Sequence, residues 1–291
     1  MSTTEIRRAD RDDFAAIARL IAEQNETPES QCIGSGEGYD SILQTMVKWD
    51  QVSEISFAIA VRDGHLMGVL GSEFDEDLGR GWLWGPFVVA QDWTGLASTL
   101  LEKLLAILPP TIRRLDFFLN IANERATHFY LDHGFCDPGL SHVYVAPRPT
   151  MPLVLAEPCP SLEPEQAESF RTLHDTIFPK TYYTGHDILD QLDDDHQVFI
   201  CGQGDDLLGY VYAIVDERSA GYIDFLGVRA DLRGQGLGKR LLLSALRWLF
   251  DVKRVPEVGL TVSDDQVNAR SLYERAGFRI RYTGLSAHKE W

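Results

Sequence analysis

Arg233, Gly234, Gly236, Gly238 and Lys239 sit together in the run RGQGLGK. Glycines at alternate positions remove Cβ atoms from a ligand's path and let successive backbone N–H groups converge on one anion. A helix opening at Leu237 would direct the positive end of its dipole at the same point, and Arg233 and Lys239 add charge. The chemistry this arrangement suits is binding of a phosphate or pyrophosphate. Two common phosphate loops do not fit. A Walker loop needs glycine five residues before Gly238 and Ser or Thr after Lys239, where this chain has Arg233 and Arg240. A dinucleotide fingerprint needs G-x-G-x-x-G, and the spacing here is G-x-G-x-G.

The elements that must hold this loop follow from pattern. Residues 222–228 (YIDFLGV) read as a buried strand, and 237–250 (LGKRLLLSALRWLF) as a helix. Residues 259–262 form a short apolar strand. Residues 267–276 read as a helix with Ala269, Leu272, Tyr273 and Ala276 on one face, ended by Gly277 in the left-handed conformation.

The spacing Arg233-x-x-Gly236-x-Gly238, followed by Leu-Tyr-x-x-x-Gly-Phe at 272–278, resembles the two signatures of the GNAT (Gcn5-related N-acetyltransferase) superfamily. The resemblance implies acetyl-CoA as co-substrate, held through Leu226, Gly227, Val228, Arg233, Gly234, Gln235, Gly236, Leu237, Gly238, Lys239, Asn268 and Tyr273. It implies that backbone groups of Leu226 and Val228 pair with the pantetheine arm, with the Val228 N–H facing the thioester carbonyl as an oxyanion donor. It places Tyr273 beside the coenzyme thiol as general acid, and a phenol with a reference pKa near ~10 suits a thiolate leaving group. Residues 222, 224, 226 and 228 of a regular strand share a face, so Asp224 is expected on the Val228 side and is the candidate base; ordering a water or a turn is its competing role. Some members carry a glutamate on the next strand, whereas Thr261 stands there and cannot act as a base. Gln266 stands where the second signature has Asn, with Asn268 two residues on.

The pattern occurs twice. Tyr130 and Phe135 precede Tyr273 and Phe278 by one common offset, and Val88 and Ala90 precede Val228 and Ala230 by another. Hairpins with polar turns at 62–65 and 203–206, and helical stretches at 12–23 and 163–177, also recur. The expected fold is α/β (α+β): two tandem GNAT-type domains, each a mixed, mostly antiparallel sheet flanked by helices. Their expected extents are 1–148 and 149–291, joined through the proline-rich stretch 146–160, which is read as a stiff, extended connector. The N-terminal counterpart of the loop is QDWTGLAS. Trp93 falls opposite Arg233, Gly95 opposite Gly236 and Ala97 opposite Gly238, so a bulky side chain and missing glycines and cations argue that only the C-terminal domain keeps a coenzyme site, with CoA binding by the N-terminal half in an altered way as the alternative.

The 291 residues carry 44 Asp and Glu against 27 Lys and Arg, a net charge of −17, which argues against nucleic acid or an anionic membrane as partner. Cys32, Cys136, Cys159 and Cys201 show no CxxC pairing, so neither a metal nor a disulfide framework is expected. No apolar run reaches the ~18–20 residues of a membrane span, and no signal peptide is read at the start; a cytoplasmic setting is expected, with a homodimer left open. The expected function is transfer of an acetyl group from acetyl-CoA to a primary amine of a small molecule, by direct attack. A protein N-terminal or lysine acetyltransferase and a non-catalytic acyl-CoA sensor or scaffold are the alternatives. Substrate contacts are expected from 174–196, with His174, Tyr182, Tyr183 and His186 as candidates, each equally readable as a surface loop residue; a capped helix is expected to begin near Thr184.

Overall fold

The computed structural model describes residues 3–150, 157–179, 181–216 and 219–291. The middle of the proline-rich connector, 151–156, lies outside the described residues. Two compact units divide the chain: Met1–Ser141 with Thr283–Trp291, and His142–Tyr282. A division at residue 148 would assign the whole last strand to the C-terminal half; the compact units assign it to the first from Thr283 onward.

In chain order the elements are β1 (Glu5–Arg8), α1 (Phe14–Asn25), α2 (Tyr39–Gln51), β2 (Ile55–Arg62), β3 (His65–Asp75), β4 (Arg80–Val88), α3 (Trp93–Ile107), β5 (Arg114–Asn120), α4 (Glu124–Asp132) and β6 (Cys136–Pro147). Then follow α5 (Ala167–Ile177), α6 (Gly185–Asp190), β7 (His196–Gln203), β8 (Asp206–Val215), β9 (Gly221–Val228), α7 (Leu237–Arg247), β10 (Glu257–Ser263), α8 (Val267–Arg275) and β11 (Arg279–Glu290). The expected mixed sheets are present. The helix expected to run to 250 ends its α-helical part at Arg247 and passes into a π-helical turn, Trp248–Val252. No helix among the described residues is long and apolar enough to cross a membrane.

In the first unit β1 to β4 pair antiparallel in sequence order, β5 lies parallel to β4, and the chain's last strand lies antiparallel on β5 from Gly284↔Asn120 to Glu290↔Arg114. In the second unit the order is β6-β10-β9-β8-β7, with β9 parallel to β10 and antiparallel to β8. Alternation along β8 divides the second unit's core. Val211 and Ala213 pack with the buried leucines Leu241, Leu242, Leu246 and Leu249 of α7 and its π turn, while Tyr210 and Tyr212 pack with Phe170 of α5 and Ile188 of α6. Each fully buried leucine contributes roughly 1.5–3 kcal/mol, so the α7 row anchors the helix that follows the glycine loop.

The repeated Tyr-x-x-x-Gly-Phe motif is a helix terminus in both units. Gly277 (φ +100) and Gly134 (φ +84) take the left-handed conformation, and the phenylalanine N–H returns to the tyrosine carbonyl at 3.1 Å in each, Phe278 to Tyr273 and Phe135 to Tyr130.

Candidate active site

The loop before α7 owes its shape to backbone conformation more than to space. Gly234 and Gly236 have φ of +81 and +85, and a Cβ at either would meet nothing within 4 Å. Gly236 is the N-cap residue of α7 and, lacking a side chain, leaves the first-turn N–H groups without a side-chain cap. A Cβ at Gly238 would turn toward Leu272 and Val228 at ordinary contact distance. Arg233, Gln235 and Lys239 are exposed, and Arg233 Nε donates to the Val228 carbonyl at 3.3 Å. An uncapped helix start flanked by two cations among exposed groups can receive a polyanion.

β9 offers a second open edge beside it. Its parallel pairing with β10 runs only from Gly221↔Val258 to Ile223↔Leu260. On its other edge Arg229 N–H bonds Leu208 O at 3.0 Å, and β8 pairs Gly209↔Val228, Tyr210↔Gly227 and Val211↔Leu226. Hydrogen-bonded and non-bonded pairs alternate in an antiparallel ladder. Leu226 and Val228 therefore point their N–H and C=O groups away from β8, to the edge that β10 has left.

A β-bulge corrects the expected placement of Asp224. Phe225 pairs with Tyr212 but Ile223 pairs with Ala213, so Asp224 is an extra residue on β9. The bulge reverses the alternation: Ile223, Leu226 and Val228 pack toward α7, while Phe225 packs with Tyr210 and Tyr212 on the α5 face. Asp224 does not share the Val228 face. Its carboxylate accepts the Tyr182 hydroxyl at 2.5 Å, and the Tyr182 ring lies 5.2 Å from Phe225. Burial pushes its pKa up to about 6, with the Tyr182 hydrogen bond opposing that shift.

Tyr273, on α8, is 7% exposed, and its hydroxyl has no hydrogen-bond partner among the described residues. Its ring packs on Phe278 and Tyr144, and burial pushes its pKa up to about 12. Tyr222 lies near enough to both candidate groups to feel them electrostatically. Its hydroxyl donates to Thr261 Oγ1 at 2.8 Å, and its phenol is pushed up by burial, with Asp224 and Tyr273 adding to the effect. Sequence reading passed over Tyr222; its signal was an aromatic two residues before the acid on the same strand.

The remaining expected residues divide. Tyr182 reaches Asp224, and the Tyr183 ring packs on Tyr182 at 5.1 Å. His174 is 0% exposed with both ring nitrogens engaged, Nδ1 with the Tyr210 hydroxyl at 2.5 Å and Nε2 with the Tyr183 carbonyl at 2.8 Å. A carbonyl can only accept, so Nε2 carries the proton and Nδ1 accepts from Tyr210. Burial lowers the His174 pKa. It is not available to a ligand, and it positions the 182–183 segment instead. His186 lies exposed on α6, which Thr184 caps as expected, and pairs with Asp190 at 3.4 Å. Asn268 is exposed in the first turn of α8, whose N-cap Gln266 makes no side-chain cap bond.

The first unit's counterpart has other groups in these places. α3 opens at Trp93 behind the N-cap Asp92, whose carboxylate accepts the Gly95 N–H at 3.0 Å. An anion already sits where a phosphate would bind. Trp93 does not block that spot, contrary to the expectation; it is 8% exposed and packs on Phe129 beneath Arg125. Pro86, two residues before Val88, has no N–H to offer a ligand. β4 carries no carboxylate, and the Tyr130 hydroxyl is spent on Gly85 O at 2.9 Å. A groove of about 730 Å³ lies at this loop, with Arg62, Gln91, Asp92 and Gly95 among its lining.

Two αβ units, each with a strand bulge before a helix N-terminus and a Tyr-x-x-x-Gly-Phe helix end, define an acyl-coenzyme A transferase type of fold. The Acetyltransferase (GNAT) family matches residues 18–135 and again 165–278, and the chain belongs to this family. Mycothiol acetyltransferases of Streptomyces avermitilis and Streptomyces coelicolor are each 34% identical over 93 residues, which is 32% of this chain and 30% of each relative's length. Among solved structures, a GCN5-related N-acetyltransferase from Sphaerobacter thermophilus superposes with a TM-score of 0.74 at 19% identity, covering 99% of this chain and 95% of its own. A tandem GNAT protein from the clavulanic acid biosynthesis pathway superposes with a TM-score of 0.67 at 12% identity, covering 99% and 98%. The tandem GNAT architecture is thus shared along the full chain.

Proposed function

We propose that the second unit transfers an acetyl group from acetyl-CoA to a primary amine of a small molecule by direct attack. The observation that carries this reading is the bulge at Asp224. Beyond it, where β10 no longer pairs, Leu226 and the Val228 N–H face an edge that can take an extended thioester arm, while the carboxylate turns to the opposite, aromatic face.

The uncapped α7 start and Arg233 and Lys239 hold the pyrophosphate; the open β9 edge orients the pantetheine arm. Asp224 takes a proton from the incoming ammonium, because only the neutral amine is a nucleophile. The amine nitrogen bonds to the thioester carbon, and the developing oxyanion accepts the Val228 N–H. Collapse breaks the C–S bond, Tyr273 protonates the departing thiolate, the nitrogen's remaining extra proton restores the phenol, and Asp224 releases the first proton to solvent. Amide, free thiol and one released proton balance the reaction. Tyr182, Tyr222 and Phe225 surround the acceptor side with rings, which suits a cationic amine.

Titration calorimetry with acetyl-CoA, followed by a thiol-release screen across primary amines, tests the reading. Binding with turnover that Tyr273→Phe lowers about 100-fold supports it. Binding with no turnover on any amine would favour an acyl-CoA sensor, and turnover only on peptides would favour a protein acetyltransferase.

A further inference from the structure

Cys136, Asp137 and His288 come from the two separate segments of the first unit, the first two from the start of β6 and the third from β11. The pairing of His288 with Asp116 on β5 fixes where the imidazole projects. Cys136 Sγ lies 3.6 Å from Asp137 Oδ2, His288 Nε2 lies 3.7 Å from the same oxygen, and all three donor atoms fall within 4.8 Å of one another.

The two separations to Asp137 Oδ2 match neighbouring vertices of a coordination polyhedron. Zinc–ligand bonds of about 2.0–2.3 Å in a tetrahedron put neighbouring donors roughly 3.3–3.8 Å apart. One sulfur, one imidazole nitrogen and one carboxylate oxygen make a borderline-soft set that selects zinc-like ions over calcium or magnesium. The site is also open to an entering ion, since Cys136 is exposed and the Asp137 side chain is 79% exposed.

We propose that Cys136, Asp137 and His288 form a binding site for a zinc-like divalent transition metal, with water in the fourth position. The bound thiolate and carboxylate neutralise the ion's two charges. The metal ties the C-terminal strand to the segment that follows α4, so its role is to staple the first unit rather than to act on substrate.

The test uses the reduced, chelator-treated full chain with zinc or cobalt(II) alone. One equivalent of zinc binds, cobalt(II) develops a thiolate-to-metal charge-transfer band, and zinc raises the melting temperature. Cys136→Ser removes the band, and both Cys136→Ser and His288→Gln weaken zinc about tenfold or more. Cys136 is exposed, so its serine variant should fold, and an unchanged melting temperature without metal checks this. A wild-type protein with no charge-transfer band overturns the proposal. So does a band that survives Cys136→Ser, which would place the metal at the buried Cys159–Cys201 pair, or zinc affinity unchanged in His288→Gln.

Discussion

Tyr182 donates its hydroxyl to Asp224 across 42 positions of sequence, joining the loop before α6 to the bulge of β9. The contact favours the ionised carboxylate while burial opposes it, and the balance leaves Asp224 near pH 6. A group with that pKa can change protonation within the working range of an enzyme.

Activity should therefore rise as pH increases through about 6, because the base must be ionised. The kcat/KM profile measures this. Asp224→Asn should lose that limb and about 100-fold or more in rate. Tyr182→Phe removes a bond that lowers the pKa, so its limb should move to higher pH; an unmoved limb would separate the limb from Asp224.

The same group has a stability signature of opposite direction. An acid held above its unfolded pKa binds protons more tightly when folded, so it adds stability at low pH and loses it as pH rises from the ordinary carboxylate range through about 6. Asp224→Asn should melt above the wild type at about pH 8, with the difference gone by about pH 4. Calorimetric melting at both values checks it.

The two tyrosines of the repeated motif should part company. Tyr273→Phe should lower kcat by about 100-fold and leave acetyl-CoA affinity intact. Tyr130→Phe should leave kcat alone and cost about 1–3 kcal/mol of stability, because the buried Gly85 carbonyl loses its donor. Steady-state kinetics beside chemical denaturation of both variants decides.

The two helix starts should part in the same way. Gly236→Trp puts a large side chain at φ +85, in the mouth of the loop, and should abolish coenzyme binding. At Gly95 a Cβ would lie 2.4 Å from Asp92 Oδ2, so Gly95→Ala should disturb the cap, cost about 1 kcal/mol and leave affinity unchanged. Equal losses of affinity at both positions would refute a single coenzyme site.

Removing 283–291 should expose the edge of β5 that the last strand covers. Hydrogen exchange should then lose protection over Arg114–Asn120, and the first unit should melt earlier.

Much of this protein is local in sequence. The glycine loop, the two Tyr-x-x-x-Gly-Phe ends, the Thr184 cap and the duplication are legible because left-handed caps and helix faces depend on neighbours a few residues away. The side of the sheet that Asp224 faces is set by how β9 pairs with β8, and one bulged residue reverses a pattern that alternation alone had assigned to the coenzyme side. His174 reads as a loop ligand until Tyr210 and the Tyr183 carbonyl close on its ring. Trp93 reads as the obstacle in the first unit, whereas the neighbouring Asp92 carboxylate takes the anion's place. The last strand's position on β5, and with it the meeting of His288 and Cys136, comes from pairing between segments more than 150 positions apart. Sequence alone determined that one loop carries the alternating glycines and flanking cations of an anion cradle, because backbone conformation there is written in the residues themselves. Tertiary structure decided which side chains face that loop, because faces and edges exist only once strands are paired.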